Sequence, residues 1–147
     1  QGLPITTTLN APSSRTFTGF VDCTTGAPFA PYTVQNSTGS GTYSMKTATA
    51  NSVNTFFVAL EKKTGLCSPK EIAEAMGVTQ ATGTPLKRVP SFVLGSQAVS
   101  PLAMAEAYAT FAARGTHCRS VPMSEVVDRD GISLGAPSAD CLEPSAG

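Results

Sequence analysis

Between residues 44 and 115 of this 147-residue chain, apolar residues recur with helical spacing. The clearest example is a set at i, i+3, i+4 and i+7, formed by Val53, Phe56, Phe57 and Leu60. This spacing lines one face of a helix, and Gly65 is the residue type that commonly ends one. A shorter helical stretch precedes it, from about Ser44 to Asn51. The pattern therefore predicts two consecutive helices with a break near Ser52.

Two further helices begin with the same dipeptide. The segments SPKEIAEAMG, from Ser68, and SPLAMAEAYATFAARG, from Ser100, each offer serine as N-cap, proline in the first turn and glycine as the stop. Apolar residues surround the second helix on all sides, which predicts that most of its surface is buried. Its aromatic residues Tyr108 and Phe111 are accordingly expected in the core.

The rest of the chain lacks helical periodicity. Residues 1–43 are rich in turn-forming residue types, so they predict a long irregular segment with at most short strands near Thr16 to Val21. Such a run is rare in a self-sufficient domain, so we expect the chain to begin partway through a larger fold. Residues 119–134 alternate in polarity and contain Asp130-Gly131, which predicts a small β-hairpin.

Together these elements predict a mainly α fold within one partial domain. Residues 1–43 form its irregular segment, residues 44–115 its helical core, and residues 116–147 a hairpin and tail.

Charge excludes several classes of partner. Ten acidic residues balance ten lysines and arginines, so no net field attracts nucleic acid or an anionic bilayer. No run approaches the roughly 18 apolar residues of a membrane span, and no basic stretch precedes an apolar one at the N-terminus. We therefore expect no nucleic-acid partner, no membrane contact by this chain and no cofactor.

Four cysteines occur without a C-x-x-C pair, and the single histidine, His117, adjoins one of them. Structural zinc sites use ligand pairs at short spacing, so a metal site is not expected. Two disulfides in an oxidising compartment, or buried free thiols, are the remaining interpretations. Sequence position favours a bond between Cys118 and Cys141, which flank the predicted hairpin, and this leaves Cys23 with Cys67. His117 is expected in a solvent-facing loop rather than in a Cys-His catalytic pair.

Ser52-Val53-Asn54 stands where the amphipathic helix begins. On a helix, Ser52 and Asn54 would point in opposite directions, because two residues correspond to about 200° of rotation. The two side chains can serve one site only if the backbone turns between them. Alternatively, Ser52 is the N-cap of the helix and Asn54 is a surface residue.

The order of these features resembles the transpeptidase domain of bacterial penicillin-binding proteins. The likeness covers roughly residues 32–133 and is carried by GTYSMKTATANSVNTFFVALEKKTGL, IAEAMGV, LGSQAVSPLAMAEAYATFAARGTHC and VVDRDG, in that order. The family's active site combines S-x-x-K, S-x-N and K-T-G. Ser52 and Asn54 match S-x-N, and QGLP at residues 1–4 resembles the sequence just after the helix that bears the nucleophile.

The other two motifs are absent or misplaced. No serine has a lysine three residues later, so the chain lacks S-x-x-K and with it the nucleophile. The letters KTG do occur at Lys63-Thr64-Gly65, but one helix after S-x-N, where a lysine complements the helix dipole and glycine caps the helix. The resemblance implies that the family's K-T-G strand follows residue 147.

The resemblance implies a fragment of a peptidoglycan D,D-transpeptidase that forms the S-x-N wall of the cleft and is inactive alone. In a complete domain Ser52 would relay a proton and Asn54 would position the substrate. The implied partners are a stem peptide ending in D-Ala-D-Ala, β-lactams and the remaining segments of the domain. The implied location is the extracytoplasmic face of the bacterial membrane, in a membrane-anchored parent. The rival interpretation is a secreted, disulfide-stapled helical binding module without catalysis.

Overall fold

The structure, a computed structural model, describes residues 3–142. It divides into two compact units. The first is formed by the chain up to Ile72 together with Leu86–Ala98, and the second by Ala73–Pro85 together with the chain from Val99 onward. Ser52 and Asn54 belong to the first unit, whereas His117 belongs to the second.

The first unit begins with two separate antiparallel sheets of two strands each. The sheets pair β1 (Thr8–Ala11) with β4 (Gly41–Ser44), and β2 (Ser14–Phe17) with β3 (Tyr32–Gln35). Threonines, which favour extended backbone, recur in these strands, and Thr16 lies opposite Thr33 with their hydroxyl oxygens 2.7 Å apart. The prediction of an irregular segment over residues 1–43 is therefore wrong.

Three helices follow the strands. They are α1 (Met45–Ala50), α2 (Asn54–Thr64) and α3 (Cys67–Ala75), and the boundary between the two units falls inside α3. Ser44 caps α1 through a reciprocal pair of bonds: its hydroxyl accepts from the Thr47 N–H, and its own N–H donates to the Thr47 hydroxyl at 2.9 Å. α2 ends at Gly65, whose φ of 80° suits glycine and whose N–H donates to the Glu61 carbonyl at 2.8 Å.

α2 contributes side chains to two clusters of buried residues in the first unit. One cluster of buried side chains consists of Phe17, Phe20, Val34, Val58, Ala59 and Leu66. The other consists of Ala11, Ala48, Val53 and Phe56. Phe56 is fully buried, and burial of such a side chain stabilises a fold by about 1.5–3 kcal/mol. The strands and α1 therefore hold α2 from both sides.

A loop over residues 87–97 completes the first unit. It contains a short 3₁₀ turn, Phe92–Leu94, which packs against α2. Lys87 and Gln97 close the loop, since the Lys87 N–H donates to Gln97 Oε1 at 2.7 Å and Gln97 Nε2 donates to the Lys87 carbonyl at 2.9 Å. We refer to this segment as the 87–97 loop.

The second unit contains α4 (Pro101–Ala112), which begins as expected, with the Ser100 hydroxyl accepting from the Ala103 N–H at 3.1 Å. Its buried residues form one narrow stripe, Ala103, Ala107 and Thr110. Tyr108 is 69% exposed and Phe111 64% exposed. The predictions that α4 is buried on most sides and that these aromatic residues lie in the core are therefore wrong.

Two strand pairs form the remainder of the second unit. They are β5 (His117–Cys118) with β8 (Cys141–Leu142), and β6 (Val126–Val127) with β7 (Ser133–Gly135). The Asp128 carboxylate stabilises the turn of the inner hairpin by accepting from the backbone N–H groups of Asp130 and Ile132, both at 2.9 Å. The structure joins Cys118 to Cys141, which face each other across β5 and β8, and it joins Cys23 to Cys67.

The chain is of mixed α/β class. Residues 3–142 contain four α-helices and eight short strands, so the prediction of a mainly α fold is wrong. The strands are two to four residues long, too short to give a sustained alternation of polar and apolar positions. Within the same residues, every helix falls short of the length and apolar character that crossing a bilayer requires.

Candidate functional site

A left-handed turn at Ser52 joins α1 to α2. Ser52 has a φ of 50°, a conformation that Arg114 alone shares among the described non-glycine residues. The Ser52 N–H donates to the Thr49 carbonyl at 3.1 Å, and the Val53 N–H donates to the Ala48 carbonyl at 3.0 Å. This pair of bonds is the Schellman termination of α1, with Ser52 in the place that glycine usually occupies. Ser52 therefore ends α1 and is not the N-cap of α2, which is Val53.

The first turn of α2 is anchored by bonds to distant backbone. Asn54 Nδ2 donates to the Gln35 carbonyl at 2.9 Å, at the end of β3. The Thr55 N–H donates to the Asn36 side-chain oxygen at 2.8 Å, and the Thr55 hydroxyl donates to the Pro12 carbonyl at 2.9 Å. Since Val53 offers no side-chain cap, Asn36 satisfies a helix N–H that would otherwise lack a partner. These bonds fix the direction of the Asn54 side chain.

The turn brings Ser52 and Asn54 to one groove. The groove has a volume of about 260 Å³, and its other lining residues are Thr49, Phe57, Val93 and Leu94. Ser52 is exposed, and its hydroxyl makes no hydrogen bond within residues 3–142. One N–H of the Asn54 amide holds the Gln35 carbonyl, so its second N–H and its amide oxygen remain for a ligand.

This arrangement can bind and orient a ligand. Ser52 offers a hydroxyl that both donates and accepts, Asn54 offers a donor and an acceptor, and Val93 and Leu94 add apolar side chains to the lining. None of the described residues that line the groove titrates near neutral pH, so the groove contains no general base of its own. Ser52 and Asn54 stand out in the sequence through the S-x-N motif, whereas Val93 and Leu94, in the 87–97 loop, carry no motif that points to the groove.

The Lys63-Thr64-Gly65 triplet lies outside the groove, at the end of α2. Lys63 is in the last turn of the helix, where a positive charge complements the helix dipole, and Gly65 is the C-cap. In the structure the triplet therefore forms the end of a helix, as its position one helix after S-x-N indicates.

His117 lies in a separate cavity of the second unit. This cavity has a volume of about 590 Å³, and charged residues in its lining are Glu74, Glu106, Arg119 and Asp140. His117 is only 9% exposed, and its Nδ1 lies 3.1 Å from the Thr110 hydroxyl, so the expectation of a solvent-facing histidine is wrong. The sulfur of Cys118 is bonded to Cys141 and cannot act as a nucleophile beside it. Residues 3–142 contain no group of three or more side chains arranged to hold a metal ion.

Glu61 is a buried carboxylate on α2, in the same unit as the groove. Its side chain on α2 is 2% exposed, and neither oxygen has a hydrogen-bond partner of good geometry within the described residues. Burial raises the pKa of Glu61 to about 7, and the Val93 backbone N–H, which favours the charged form, offsets part of that rise. The sequence could have indicated this burial, because Glu61 lies four residues after Phe57 and therefore at the edge of the apolar face of α2.

The raised pKa makes stability depend on pH. Between the ordinary value of 4.5 and about 7, the unfolded chain loses the Glu61 proton while the folded chain keeps it. The free energy of unfolding should therefore fall as pH rises through this window, by at most about 3 kcal/mol, and then level off. Urea unfolding at several pH values measures the fall. In Glu61→Gln the decrease in the free energy of unfolding that comes from Glu61 should be absent. A pH dependence of stability equal to that of the wild type would contradict the prediction.

The comparisons with known proteins define the family. Residues 11–136 match the family model described as the penicillin binding protein transpeptidase domain. Penicillin-binding protein 1A of Aquifex aeolicus (strain VF5) is 32% identical over 103 residues, which are 70% of this chain and 14% of that protein. The chain therefore belongs to the penicillin-binding protein transpeptidase family, and the resemblance seen in its sequence is confirmed.

Solved structures show the same fold. PBPA from Mycobacterium tuberculosis superposes with a TM-score of 0.71 at 21% identity, over 97% of this chain and 36% of that chain. The acyl-enzyme complex of penicillin-binding protein A from M. tuberculosis with ceftriaxone gives a TM-score of 0.70 at 23% identity, over 97% and 34%. The corresponding imipenem complex gives 0.71 at 20% identity, over 97% and 35%. This chain thus spans about a third of the chains it superposes on.

Proposed function

We propose that this chain forms the S-x-N wall of the active-site cleft in a peptidoglycan D,D-transpeptidase. The observation that carries the proposal is the left-handed turn at Ser52, which brings the Ser52 hydroxyl and the Asn54 amide to one groove although they are two residues apart. Termination of α1 accounts for the left-handed conformation itself, whereas the convergence of the two side chains on one groove is what a cap would not need. Membership of the transpeptidase family favours this function over a binding module without catalysis.

The chemistry assigned to the two residues follows from what each can donate or accept. Acyl transfer from a D-Ala-D-Ala peptide forms an ester to the nucleophilic serine of S-x-x-K and releases the terminal D-alanine as an amine, which must gain a proton. The Ser52 hydroxyl can accept a proton and donate its own, so it can relay one between the lysine of S-x-x-K and that amine. The Asn54 amide, which presents both a donor and an acceptor, would hold the peptide carbonyl of the substrate or the side-chain amide of a β-lactam.

The proposed partners follow from this role. They are a peptidoglycan stem peptide ending in D-Ala-D-Ala and β-lactams, both bound when the remaining segments of the domain complete the cleft. The peptide is found outside the cytoplasmic membrane, so a membrane-anchored parent would hold the domain on the extracytoplasmic face. The disulfides Cys23–Cys67 and Cys118–Cys141 are consistent with an oxidising compartment.

The 147-residue chain alone should not be labelled covalently by a fluorescent penicillin. Acylation requires the serine of S-x-x-K, and this sequence contains no serine with a lysine three residues later. Denaturing gel electrophoresis and intact mass spectrometry after incubation measure the label. A complete penicillin-binding transpeptidase treated in parallel confirms that the reagent is active.

A stable, stoichiometric penicilloyl adduct on Ser52 would contradict the proposal, because Ser52 would then be a nucleophile and not a relay. The same adduct on any other residue of the chain would equally contradict the assignment of the nucleophile to S-x-x-K.

A further inference from the structure

The loop between β3 and β4, residues 36–40, contacts the turn that joins α1 to α2 on both of its sides. On the side of α1, the Thr38 hydroxyl donates to the Asn51 carbonyl at 3.0 Å. On the side of α2, the Asn36 side-chain oxygen accepts from the Thr55 N–H at 2.8 Å. The loop therefore holds the residues that lie immediately before and immediately after the S-x-N motif.

The Asn36 amide joins three segments of the first unit. Its Nδ2 donates to the Pro12 carbonyl at 3.1 Å, just after β1, and to the Gly39 carbonyl at 2.8 Å within the loop. Its oxygen accepts from Thr55 in α2. Because a carbonyl can only accept and a backbone N–H can only donate, these contacts define which end of the amide faces which partner. A side-chain amide offers two donors and an acceptor at once, which a serine or threonine hydroxyl cannot.

Asn36 also shares a peptide group with the carbonyl that holds Asn54. That carbonyl belongs to Gln35, the last residue of β3, and it accepts from Asn54 Nδ2 at 2.9 Å. The N–H of the same peptide group is that of Asn36, and it donates to the Ser13 carbonyl at 2.8 Å. Because a peptide group is planar, its bond to Ser13 on one side sets the direction in which its carbonyl meets Asn54 on the other.

We propose that Asn36 is a positioning residue that directs the Asn54 side chain into the groove. Its side chain holds the backbone N–H that follows Asn54, and its peptide group holds the Asn54 amide itself. One N–H of that amide is thereby kept on β3, and the second N–H and the amide oxygen are kept for a ligand. Without the Asn36 side chain, the Thr55 N–H would lose its partner and the end of β3 would lose its bond to Pro12.

The consequence for catalysis rests on the proposed function. Asn36 is not among the residues that line the groove, so it would contribute to the reaction only through Asn54. The orientation of the Asn54 amide, by contrast, requires neither a substrate nor a nucleophile. It can therefore be measured on the 147-residue chain whether or not the chain belongs to an active transpeptidase.

The first measurement is NMR of the ¹⁵N-labelled 147-residue chain. In Asn36→Ala the Thr55 amide should exchange with solvent about 2–10-fold faster, which corresponds to the loss of one hydrogen bond. The Asn54 side-chain amide signal should move toward that of a free asparagine. Ser37→Ala is the matched control, because Ser37 is exposed, adjoins Asn36 and makes no hydrogen bond within residues 3–142. In this control both signals should keep their wild-type behaviour.

The second measurement is the rate of acylation by penicillin in a complete transpeptidase domain built around this chain. Asn36→Ala should lower the rate by about 10–100-fold, because catalysis falls steeply when a group is displaced from its productive position. In an Asn54→Ala background the same substitution should have little further effect, since Asn36 acts through Asn54. A role confined to stability would instead lower the melting temperature and leave the rate of the folded domain unchanged.

Three results would overturn the proposal. Unchanged Thr55 exchange and an unchanged Asn54 signal in folded Asn36→Ala would show that other contacts orient the amide. Changes of equal size in Ser37→Ala would show that the effect is not specific to the bonds of Asn36. Equal effects of Asn36→Ala on acylation with and without the Asn54 side chain would show that Asn36 does not act through Asn54.

If Asn36→Ala did not fold, scalar couplings across hydrogen bonds in the ¹³C,¹⁵N-labelled wild-type chain would decide. They should connect the Thr55 nitrogen with the Asn36 side-chain carbonyl carbon, and Asn54 Nδ2 with the Gln35 carbonyl carbon. Absence of both couplings would overturn the proposal. Failure of the transpeptidase assignment would appear as a complete domain that penicillin does not acylate, and it would leave the NMR results unchanged.

Discussion

Replacing Ser52 with alanine in a complete transpeptidase domain built around this chain should slow acylation by penicillin about 10²–10⁴-fold while leaving the domain folded. This is the usual size of a general acid–base contribution, and the proposed relay through the Ser52 hydroxyl is of that kind. Alanine keeps a Cβ at the same left-handed position, so the backbone strain at φ 50° is nearly unchanged. The measurements are the second-order acylation rate and the melting temperature of each variant.

Ser52→Gly is the matched control, because it separates the hydroxyl from the backbone conformation. Glycine adopts a positive φ without the steric cost that a Cβ brings, so this variant should be as stable as the wild type or more stable by up to about 1 kcal/mol. Its acylation rate should nevertheless be as low as that of Ser52→Ala. Wild-type rates in both folded variants would show that the Ser52 hydroxyl has no part in the chemistry.

Removal of the Cys23–Cys67 disulfide should lower the stability of the first unit by about 4 kcal/mol in the chain-entropy description. The two cysteines are 44 positions apart in the sequence, whereas Cys118 and Cys141 are 23 apart. Because a shorter loop loses less entropy on closure, removal of Cys118–Cys141 should lower the stability of the second unit by about 3 kcal/mol. Because the chain has two units, amide hydrogen exchange is the suitable measurement. The Phe56 amide in α2 reports on the first unit and the Thr110 amide in α4 on the second.

The paired variants Cys23→Ser with Cys67→Ser and Cys118→Ser with Cys141→Ser serve as controls for each other. Each should reduce protection mainly in its own unit. The wild-type chain should be lighter than the all-thiol form by about 4 Da without reductant, two hydrogens per disulfide. Four thiols that react with an alkylating reagent in the native protein, or unchanged exchange at Phe56 after the first pair is removed, would contradict the prediction.

Local signals predicted all four helices, although α3 begins at Cys67 and so contains Ser68 instead of using it as an N-cap. α4 begins at Pro101 with Ser100 as its cap, and α2 ends at Gly65, as capping preferences indicate. The strands of the first unit gave no such signal. β1 and β4 are four residues each and pair across a long stretch of sequence, so their stability comes from partners that periodicity cannot reveal.

The site shows the same division between local and non-local information. Ser52 and Asn54 were identified by motif, yet the turn that unites them depends on a left-handed conformation that a serine rarely adopts. Val93 and Leu94 reach the groove only through tertiary packing of the 87–97 loop. The burial of His117 and the exposure of Tyr108 likewise depend on which neighbours the fold supplies.

The anchoring of α2 limits how the Ser52-Val53-Asn54 motif could be transferred to another protein. The bonds that orient its first turn reach Asn36 and Pro12, which lie 19 and 43 positions before Thr55. If the three residues were transferred onto an unrelated pair of helices, the side chains would be present but the contacts that orient them would be missing. The smallest transferable unit includes the end of α1, the turn after β1 and the loop that follows β3, so protein engineers would have to move a discontinuous module.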